Sequence, residues 1–531
     1  MSLVKNVLNV GIATAASRVM GFVRDVLVAS TLGAGPVTDA FVVAFRLPNL
    51  FRRLFAEGAF NSAFVPLYAK RVDAEGPSAA KAFAEDVLAV MFWSLAIFSA
   101  VMMLAMPFLV DVLAPGFIND SDKFALTVAY TRICFPYLLC MSVLAILGGV
   151  LNSNRKFGFA AWAPLLLNTI LSIALIMAGA LGLAGTRQAG LFLSWAVFIA
   201  GFAQVALLAY ILKRHGLGLS IRWPRMTPGV KRMLILGIPG VIAGGITQIN
   251  LVIGTMIAST MPAAVSWLYY ADRIYQFPLG MVGVAIGVVL LPELSRQMKM
   301  GDSHVLETQN RALEFSMLLT LPAAIALACV PHSIIAGLFE RGAFGPFDSA
   351  IVSGVLAAFA FGLPAFVLTK VLSPAFFARE DTKRPMLVAM TSSLTNVIFS
   401  LLLFKPYGPM GIAAATVIAG WVDALLLLLL LWRRKSFYAD ALLLRRLGAI
   451  FAASILMGLA LIWGDQFAAP HVGATHSLLT KFIALGLLCG AGFLIYIVSV
   501  YAFGGIDRKA LAEFLKQRRL RKGEAPPSME I

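Results

Sequence analysis

The sequence predicts an all-α, polytopic membrane protein with about fourteen transmembrane helices. Of its 531 residues, 60% are hydrophobic and 13% are charged, whereas soluble domains contain about 45–50% apolar and 25% charged residues. Apolar stretches recur along the whole chain, and most of them approach the roughly 20 residues that a helix needs to cross a bilayer. Lipid is therefore the expected solvent for most of the surface.

Turn signals and clusters of charge separate these stretches into fourteen predicted spans. The two spans that contain both charges and prolines, 38–66 and 265–291, depart most from a simple apolar helix. The approximate cores are 7–32, 38–66, 85–110, 124–151, 159–183, 189–212, 233–258, 265–291, 312–331, 349–374, 386–404, 410–432, 447–464 and 482–503.

The basic residues outside the spans fall mainly on one side of the predicted membrane. Thirty Lys and Arg lie at the termini and in one set of alternate loops, and only five lie in the other set. Because cytoplasmic loops are enriched in Lys and Arg, both termini are predicted to be cytoplasmic. This asymmetry explains the net charge of +17 without a nucleic-acid partner. The basic C-terminal tail is expected to attract anionic membrane lipids.

Two halves of the chain resemble each other at a spacing of about 226–228 residues. Phe135-Pro136 matches Leu363-Pro364, and Leu166-Leu167-Asn168 matches Leu394-Thr395-Asn396. Six spans per half give both halves the same direction in the membrane, a parallel repeat of the kind found in transporters. The predicted domains are an N-terminal lobe at 1–222, a C-terminal lobe at 223–440, two additional helices at 441–505 and a basic cytoplasmic tail at 506–531.

Eight basic side chains are predicted at membrane depth, where a charge costs about 2.5–3.5 kcal/mol or more. Such side chains are expected to face water, a charged partner or a substrate, and a guanidinium group suits phosphate oxygens in particular. The eight are Arg18, Arg24, Arg46, Arg52, Arg53, Arg132, Arg273 and Lys370. The acidic residues near them are Asp25, Asp39, Glu57, Asp272 and Asp423.

The first predicted helix carries polar faces, because residues seven apart share one face of a helix. Ser17 lies seven residues before Arg24, and Arg18 lies seven residues before Asp25. We therefore expect Arg18 and Arg24 to face a cavity rather than lipid.

The second predicted helix repeats this pattern. Asp39, Arg46 and Arg53 follow one another at intervals of seven, and Glu57 lies within ion-pair reach of Arg53. Arg46 is expected to pair with Asp39, whereas Arg52 points away from Arg53 and has no obvious local partner. A structural pairing and a cavity role are both open for Arg53.

Outside these two helices, Arg273 is expected to face the cavity, and Arg132 is expected to lie near a helix end. For Lys370 and Asp423, a functional and a structural role are both open.

No motif indicates covalent, metal or nucleotide chemistry. The four cysteines lie in apolar stretches, which favours buried thiols over a disulfide framework. His471 and His476 share a loop without a carboxylate, which is a weak signal for a metal. The chain contains neither a P-loop nor a nucleophile elbow. We therefore expect no cofactor and no direct use of ATP, and leave coupling to the membrane potential or to sodium open.

Several segments form a distinctive set. They are SRVMGFVRD at 17–25, GAG at 33–35, TDAF at 38–41, FRLPNLFRRLFAEGAF at 45–60, APGF at 114–117 and YYADR at 269–273. This set resembles the MurJ (MviN) family of lipid II flippases, within the multidrug/oligosaccharidyl-lipid/polysaccharide exporter superfamily. The resemblance extends over almost the whole chain.

The resemblance implies two six-helix lobes around a cationic cavity, with the two additional helices forming a groove for a lipid tail. It implies transport of the undecaprenyl-diphosphate-linked peptidoglycan precursor, lipid II, from the cytoplasmic to the periplasmic leaflet of a bacterial inner membrane by alternating access. By motif position it assigns substrate binding to Arg18, Arg24, Arg52 and Arg273. The supporting residues are Ser17, Asp25, Asp39, Arg53, Glu57, Asp272 and Lys370. Some members of the family bind sodium, but Gln248 and Asn250 supply no carboxylate, so that site is not transferred.

Three other functions are consistent with part of the pattern. A drug or polysaccharide-unit exporter of the same superfamily is one, although an exporter of cations should carry carboxylates in its cavity. A membrane enzyme acting on the same carrier lipid is another, with the loop of Glu340, Arg341 and Asp348 as its candidate site. A non-transporting scaffold of the cell-wall machinery is the third. The expected partners are lipid II and membrane lipids, with cell-wall synthesis proteins left open, and the chain is expected to be a monomer.

Overall fold

The computed structural model describes residues 3–55, 59–154, 156–297, 302–474 and 476–505. This part of the chain is helical throughout and contains no strand apart from a single bridge between Arg341 and Phe344. The helices are α1 (Leu3–Leu32), α2 (Pro36–Phe55), α3 (Ala59–Glu75), α4 (Pro77–Leu104), α5 (Met106–Leu113), α6 (Ser121–Cys134), α7 (Tyr137–Ser153), α8 (Phe157–Ala180), α9 (Arg187–Arg214), α10 (Pro228–Ser259), α11 (Ala264–Gln297), α12 (Asp302–Cys329), α13 (Pro331–Phe339), α14 (Pro346–Ala360), α15 (Leu363–Phe377), α16 (Lys383–Tyr407), α17 (Pro409–Arg433), α18 (Ala441–Ala468) and α19 (Leu478–Ala502). Short 3₁₀ helices occupy Pro115–Asn119 and Ala469–His471.

Ten segments of the described chain are long and apolar enough to cross a membrane. They coincide with ten of the predicted spans. The other four predicted spans fall on α1, on α2 and α3, on α10 and on α11. Residues 56–58, between α2 and α3, lie outside the described residues. The all-helical membrane fold is confirmed, and the count of fourteen spans stays a prediction.

Several predicted spans contain a break in the helix near a proline, and two of these breaks lie at matching positions of the two halves. The span at 124–151 is divided into α6 and α7 at Phe135-Pro136, and the span at 349–374 is divided into α14 and α15 just before Leu363-Pro364. Proline has no N–H to donate and its ring crowds the preceding turn, so a break at these points is expected. Phe135-Pro136 and Leu363-Pro364 are also one of the pairs of segments that match each other in the internal sequence repeat.

The described residues fall into two compact units. The first unit is drawn from Met1–Arg273, Phe339–Ile351 and Ser400–Ile412. The second unit is drawn from Ile274–Leu338, Val352–Phe399 and Ala413–Ile531. In the first unit, α1 packs along α8, and α3 packs against α4, α7 and α10 around a core that includes Phe64, Phe83 and Ile146. In the second unit, α18 packs against α12 and α19. The division into lobes at 222/223 and 440/441 remains a prediction.

Large apolar side chains are exposed on the outer helices, as a lipid environment requires. Leu104 of α4 is 82% exposed and Leu487 of α19 is 69% exposed. Soluble monomers rarely expose contiguous apolar patches beyond a few hundred Å². These surfaces are therefore stable against hydrocarbon and not against water.

Candidate functional site

A cluster of charged and aromatic side chains surrounds Asp25 of α1 in the first unit. Nη2 of Arg24 lies 2.7 Å from Oδ1 of Asp25, and the hydroxyl of Tyr269 donates to the same oxygen at 2.7 Å. Arg273 approaches from α11, with its Nε 3.6 Å from Oδ2 of Asp25 and its guanidinium 4.7 Å above the ring of Tyr269. One buried carboxylate is therefore shared by two arginines from different helices.

Asn168 of α8 fixes the direction of Arg24. Nη1 of Arg24 donates to the Asn168 side-chain oxygen at 2.9 Å, and the Asn168 amide donates to the carbonyl of Ser17 at 3.0 Å. Gly21 makes room for this amide, since a Cβ there would lie 3.3 Å from Asn168 Nδ2. The predicted proximity of Ser17 and Arg24 is thus realised, with an asparagine bridging them.

The cluster lies far from the nearer ends of α1 and α11, and its basic groups outnumber its acidic ones. With a rise of 1.5 Å per residue, Arg24 is about 12 Å from the end of α1 at Leu32, and Arg273 is about 14 Å from the start of α11. Arg46 lies close enough to Asp272 and Arg273 to interact with them electrostatically, so the guanidinium groups of Arg24, Arg46 and Arg273 accompany the carboxylates of Asp25 and Asp272. The Nε of Arg273 is buried, and it donates no hydrogen bond to an acceptor among the described residues. The site can therefore accept a further anion.

The remaining arginines of the first two helices lie outside this cluster of contacts. Arg18 is exposed on α1, two turns before Asp25. Arg52 of α2 is half-buried and donates to the Asn49 side-chain oxygen at 3.1 Å, while Arg53 is exposed. Glu57, predicted to pair with Arg53, lies outside the described residues.

Asp39 has a different role from Asp25, because its carboxylate is saturated. It is fully buried and lies 2.6 Å from Nζ of Lys123. It also accepts hydrogen bonds from the backbone N–H of Ala263 and Ser266 and from the Ser266 hydroxyl, at 3.0, 2.9 and 2.7 Å. These contacts join α2 and α6 to the start of α11.

The predicted pair between Asp39 and Arg46 was wrong. Lys123 takes the place of Arg46 at the carboxylate, and Arg46 donates instead to the hydroxyl of Thr255 on α10. Sequence spacing had shown only the residues of one helix, whereas Lys123 is 84 residues away in the chain.

The segment Ala114-Pro115-Gly116-Phe117 supports the same contact. The Lys123 ammonium lies 3.9 Å from the centre of the Phe117 ring. Gly116 donates its N–H to Ser259 Oγ at 3.0 Å, and a Cβ at this position would come within 2.4 Å of the Ser259 carbonyl. Only glycine fits there without movement of the backbone.

The other predicted polar residues are more dispersed. Asp272 is half-buried beside Arg273, and Arg132 is exposed near the end of α6, where it donates to the Met103 carbonyl. In the second unit, Lys370 is exposed on α15 and Asp423 is half-buried on α17.

The loop that had been the candidate for an enzyme site is engaged in local structure. Asp348 accepts from Trp267 Nε1 at 2.8 Å and from the Gly345 N–H at 3.2 Å. This carboxylate fixes the turn before α14 and is not held ready for proton transfer. The described residues also contain no group of three or more His, Cys, Asp or Glu that could hold a metal ion.

A separate apolar cavity lies between α18 and α19 in the second unit. It measures about 570 Å³, and its polar lining side chains are His471, Thr480 and the indole of Trp463. Gly492 lets the helices approach, since a Cβ there would come within 2.6 Å of Leu461. The cavity suits a hydrocarbon chain and not a charged ligand.

Comparisons with known proteins agree with these features. The family model described as lipid II flippase MurJ matches residues 28–483. The chain is 48% identical to the probable lipid II flippase MurJ of Rhizobium tropici, over 98% of each chain. It is 35% identical to the lipid II flippase MurJ of Burkholderia cenocepacia, over 87% of this chain and 90% of that protein.

Solved structures give the same picture of the fold. A lipid II flippase MurJ in an inward closed conformation superposes with a TM-score of 0.75 at 26% identity, covering 93% of this chain and 98% of that one. An inward-facing multidrug resistance transporter of the MATE family has a TM-score of 0.66 at 16% identity, over 79% and 94% of the two chains, a likeness of fold alone.

Proposed function

The chain belongs to the MurJ family of lipid II flippases, which are multi-pass transporters of the bacterial inner membrane and not enzymes, and on this premise we propose that it carries lipid II from the cytoplasmic to the periplasmic leaflet. The cluster of charged side chains around Asp25 is the observation that supports this proposal. Two arginines at positions predicted to lie within the membrane share one carboxylate, which supports a remaining positive charge for a ligand.

The chemistry of the cargo matches this charge. Lipid II carries a diphosphate, and guanidinium groups bind phosphate oxygens with paired, charge-assisted hydrogen bonds. In this proposal Arg24 and Arg273 contact the diphosphate, with Arg18 and Arg52 completing the set of substrate-binding arginines. Asp25, Asn168 and Tyr269 hold the first two in position. An exporter of cationic drugs would need the opposite charge here.

The hydrocarbon tail needs a different surface from the headgroup. The long undecaprenyl tail stays in the lipid while the polar headgroup crosses the membrane, so the two parts of the molecule follow separate paths. The cavity between α18 and α19 supports a groove for part of the tail, because its lining is almost entirely apolar. We assign headgroup recognition to the first unit and tail recognition to this helix pair.

The direction of transport follows from charge if both termini are cytoplasmic, as the basic loops predict. A membrane potential that is negative inside favours outward movement of negative charge by about 2.3 kcal/mol per elementary charge per 100 mV. The potential can thus supply part of the drive, with alternating access to the two leaflets.

The test is complementation of a bacterium depleted of its own flippase, combined with an assay of which leaflet holds the lipid-linked precursor. The wild-type chain should restore growth and periplasmic exposure of the precursor. Arg24→Ala and Arg273→Ala should abolish both while inserting normally, and Arg132→Ala, an exposed arginine outside the cluster, is the matched control. Full activity of both cluster variants would contradict the proposal.

A further inference from the structure

The chain between α9 and α10 forms an ordered segment on the surface of the first unit. Residues 217–227, here named the interfacial strap, have no regular secondary structure. Leu217 and Leu219 pack against the apolar core of the unit. The later residues Ile221, Trp223 and Met226 are 52%, 78% and 63% exposed. One end of the strap is thus anchored in protein, and the other presents large apolar side chains outward.

A buried carboxylate holds the strap in place. Glu85 of α4 is only 2% exposed. It accepts from the backbone N–H of Ser220 at 3.1 Å and from the Ser220 hydroxyl at 2.9 Å, and it lies 2.6 Å from Nη2 of Arg222. Breaking a buried charged contact of this kind is costly, so the exposed side chains of the strap occupy a defined position.

A tryptophan pair sets the depth of the strap. The rings of Trp93 and Trp223 are stacked with centroids 5.2 Å apart and an interplanar angle of 4°, and Trp93 Nε1 donates to the Arg222 carbonyl at 3.2 Å. Trp93 lies seven residues, or about 10 Å, beyond Asp86, the last charged residue of α4. Trp223 therefore lies near the boundary between lipid headgroups and hydrocarbon, where tryptophan is enriched in membrane proteins.

The charge within the segment that contains the strap has a single sign. The segment 213–232 contains six basic residues and no acidic residue. All six are exposed, namely Lys213, Arg214, Arg222, Arg225, Lys231 and Arg232. Basic residues beside a membrane are attracted to anionic lipids by about 1 kcal/mol each, and apolar side chains next to them add insertion into the headgroup region.

We propose that the interfacial strap is a binding site for anionic phospholipids. Ile221, Trp223 and Met226 insert at the level of the headgroups on the side of the membrane where α4 begins, and the surrounding basic side chains bind headgroup phosphates. Glu85 and Trp93 fix the strap at this depth. The binding of phospholipids at the strap concerns the surrounding bilayer and is independent of the cargo. The test of the strap and the test of lipid II transport can therefore fail separately.

The depth of the strap can be measured with a probe at Met226, which lies three residues after Trp223 in the chain and is not part of the stacked pair. The four native cysteines are replaced, Met226→Cys is labelled with an environment-sensitive fluorophore, and the full chain is placed in vesicles with or without phosphatidylglycerol. Nitroxides at shallow acyl positions should quench the probe several-fold more than aqueous iodide does. Glu85→Gln should move the probe toward water, whereas Asp122→Asn, which removes an exposed pair with Arg187, should not.

Lipid selectivity is measured on the same protein as the gain in unfolding temperature when phosphatidylglycerol replaces phosphatidylcholine. Joint replacement of Lys213, Arg214, Arg225, Lys231 and Arg232 by Gln should remove that gain. Replacement of the exposed Arg132 and Arg187 should keep it. Dominant quenching by iodide in both kinds of vesicle would point to a soluble acidic partner and overturn the proposal, as would an undiminished gain in the five-fold variant.

Discussion

Two aspartates of the first helices show how the surroundings of a residue separate function from structure. Asp39 receives an ammonium group and three hydrogen bonds, so it has no capacity for a further ligand. Asp25 is shared by two arginines and a tyrosine hydroxyl, so the positive charge around it exceeds its own. The contacts of Asp39 stabilise the fold. The excess positive charge around Asp25 can bind an anionic headgroup.

The contact of Lys123 with Asp39 predicts a large loss of stability on substitution. Lys123→Met leaves a buried carboxylate without its cation, and breaking such a pair costs about 3–5 kcal/mol. The unfolding temperature of the purified variant should fall clearly. Arg187→Met is the control, because its pair with Asp122 is exposed and such pairs contribute about 0–1 kcal/mol. Equal effects of the two substitutions would contradict the role assigned to Asp39.

The sequence indicated which charged residues are unusual, but not which side chains contact them. The arginines and Asp25 could be identified because charge at membrane depth is costly and therefore conspicuous. Lys123 was assigned to a loop outside the membrane, and its contact with Asp39 depends on how α6 packs beside α2. Asn168 had appeared only as part of the internal repeat, although a polar residue within an apolar helix was a signal for it.

At the scale of helices, close packing depends on where glycine and proline lie. The breaks between α6 and α7 and between α14 and α15 lie beside prolines, which lack an N–H for the helix. Proline alone does not fix such breaks, because Pro164 and Pro374 lie inside α8 and α15. The full length of three long helices could not be predicted from composition, since α1, α10 and α11 mix charge, glycine and apolar residues and extend beyond the predicted cores at 7–32, 233–258 and 265–291. Their length of 30 or more residues became evident only from the structure.

Gly116 provides a test of close packing between α10 and the 3₁₀ helix at Pro115–Asn119. The Cβ of Gly116→Ala would lie 2.4 Å from the Ser259 carbonyl, and overpacking of this kind costs about 1–3 kcal/mol. The variant should unfold at a lower temperature. Gly35→Ala meets nothing within 4 Å and should be nearly neutral. An unchanged unfolding temperature of Gly116→Ala would show that Gly116 is not packed closely against the Ser259 carbonyl.

The cavity between α18 and α19 predicts an effect on transport without an effect on folding. Ala491 lines the cavity, so Ala491→Trp should fill part of it and slow precursor translocation several-fold in the leaflet assay. Cys489→Trp places the same ring on an exposed position of α19 outside the lining and should leave translocation unchanged. Equal rates of translocation in the two variants would show that the lipid tail does not bind in this cavity.

At the scale of the whole molecule, the apolar exterior and the distribution of basic residues determine how the chain lies in the membrane. Exposed apolar side chains cover the outer helices, and thirty basic residues outside the predicted spans lie on one predicted side against five on the other. Both features were evident from composition and pattern, because the bilayer imposes them on any sequence. The division of the chain into two units that each combine separate segments could not be deduced in this way.

Orientation is directly measurable with reporters fused to the C-terminus. A fluorescent protein that matures only in the cytoplasm should be bright, and alkaline phosphatase, which needs the periplasm, should be inactive. The physical reason is retention of Lys and Arg on the cytoplasmic side. Active phosphatase would reverse the orientation and, with it, the direction in which the membrane potential drives an anion.

In the proposed mechanism, arginines predicted to lie at membrane depth hold the phosphate groups of the cargo. The most direct measurement is the affinity of the purified chain for lipid II and for an analogue that lacks the diphosphate but keeps the tail and sugar–peptide. The wild type should bind lipid II at least several-fold more tightly than the analogue, and Arg273→Ala should lose that difference while Arg132→Ala keeps it. Equal affinity of the wild type for both molecules would contradict the account.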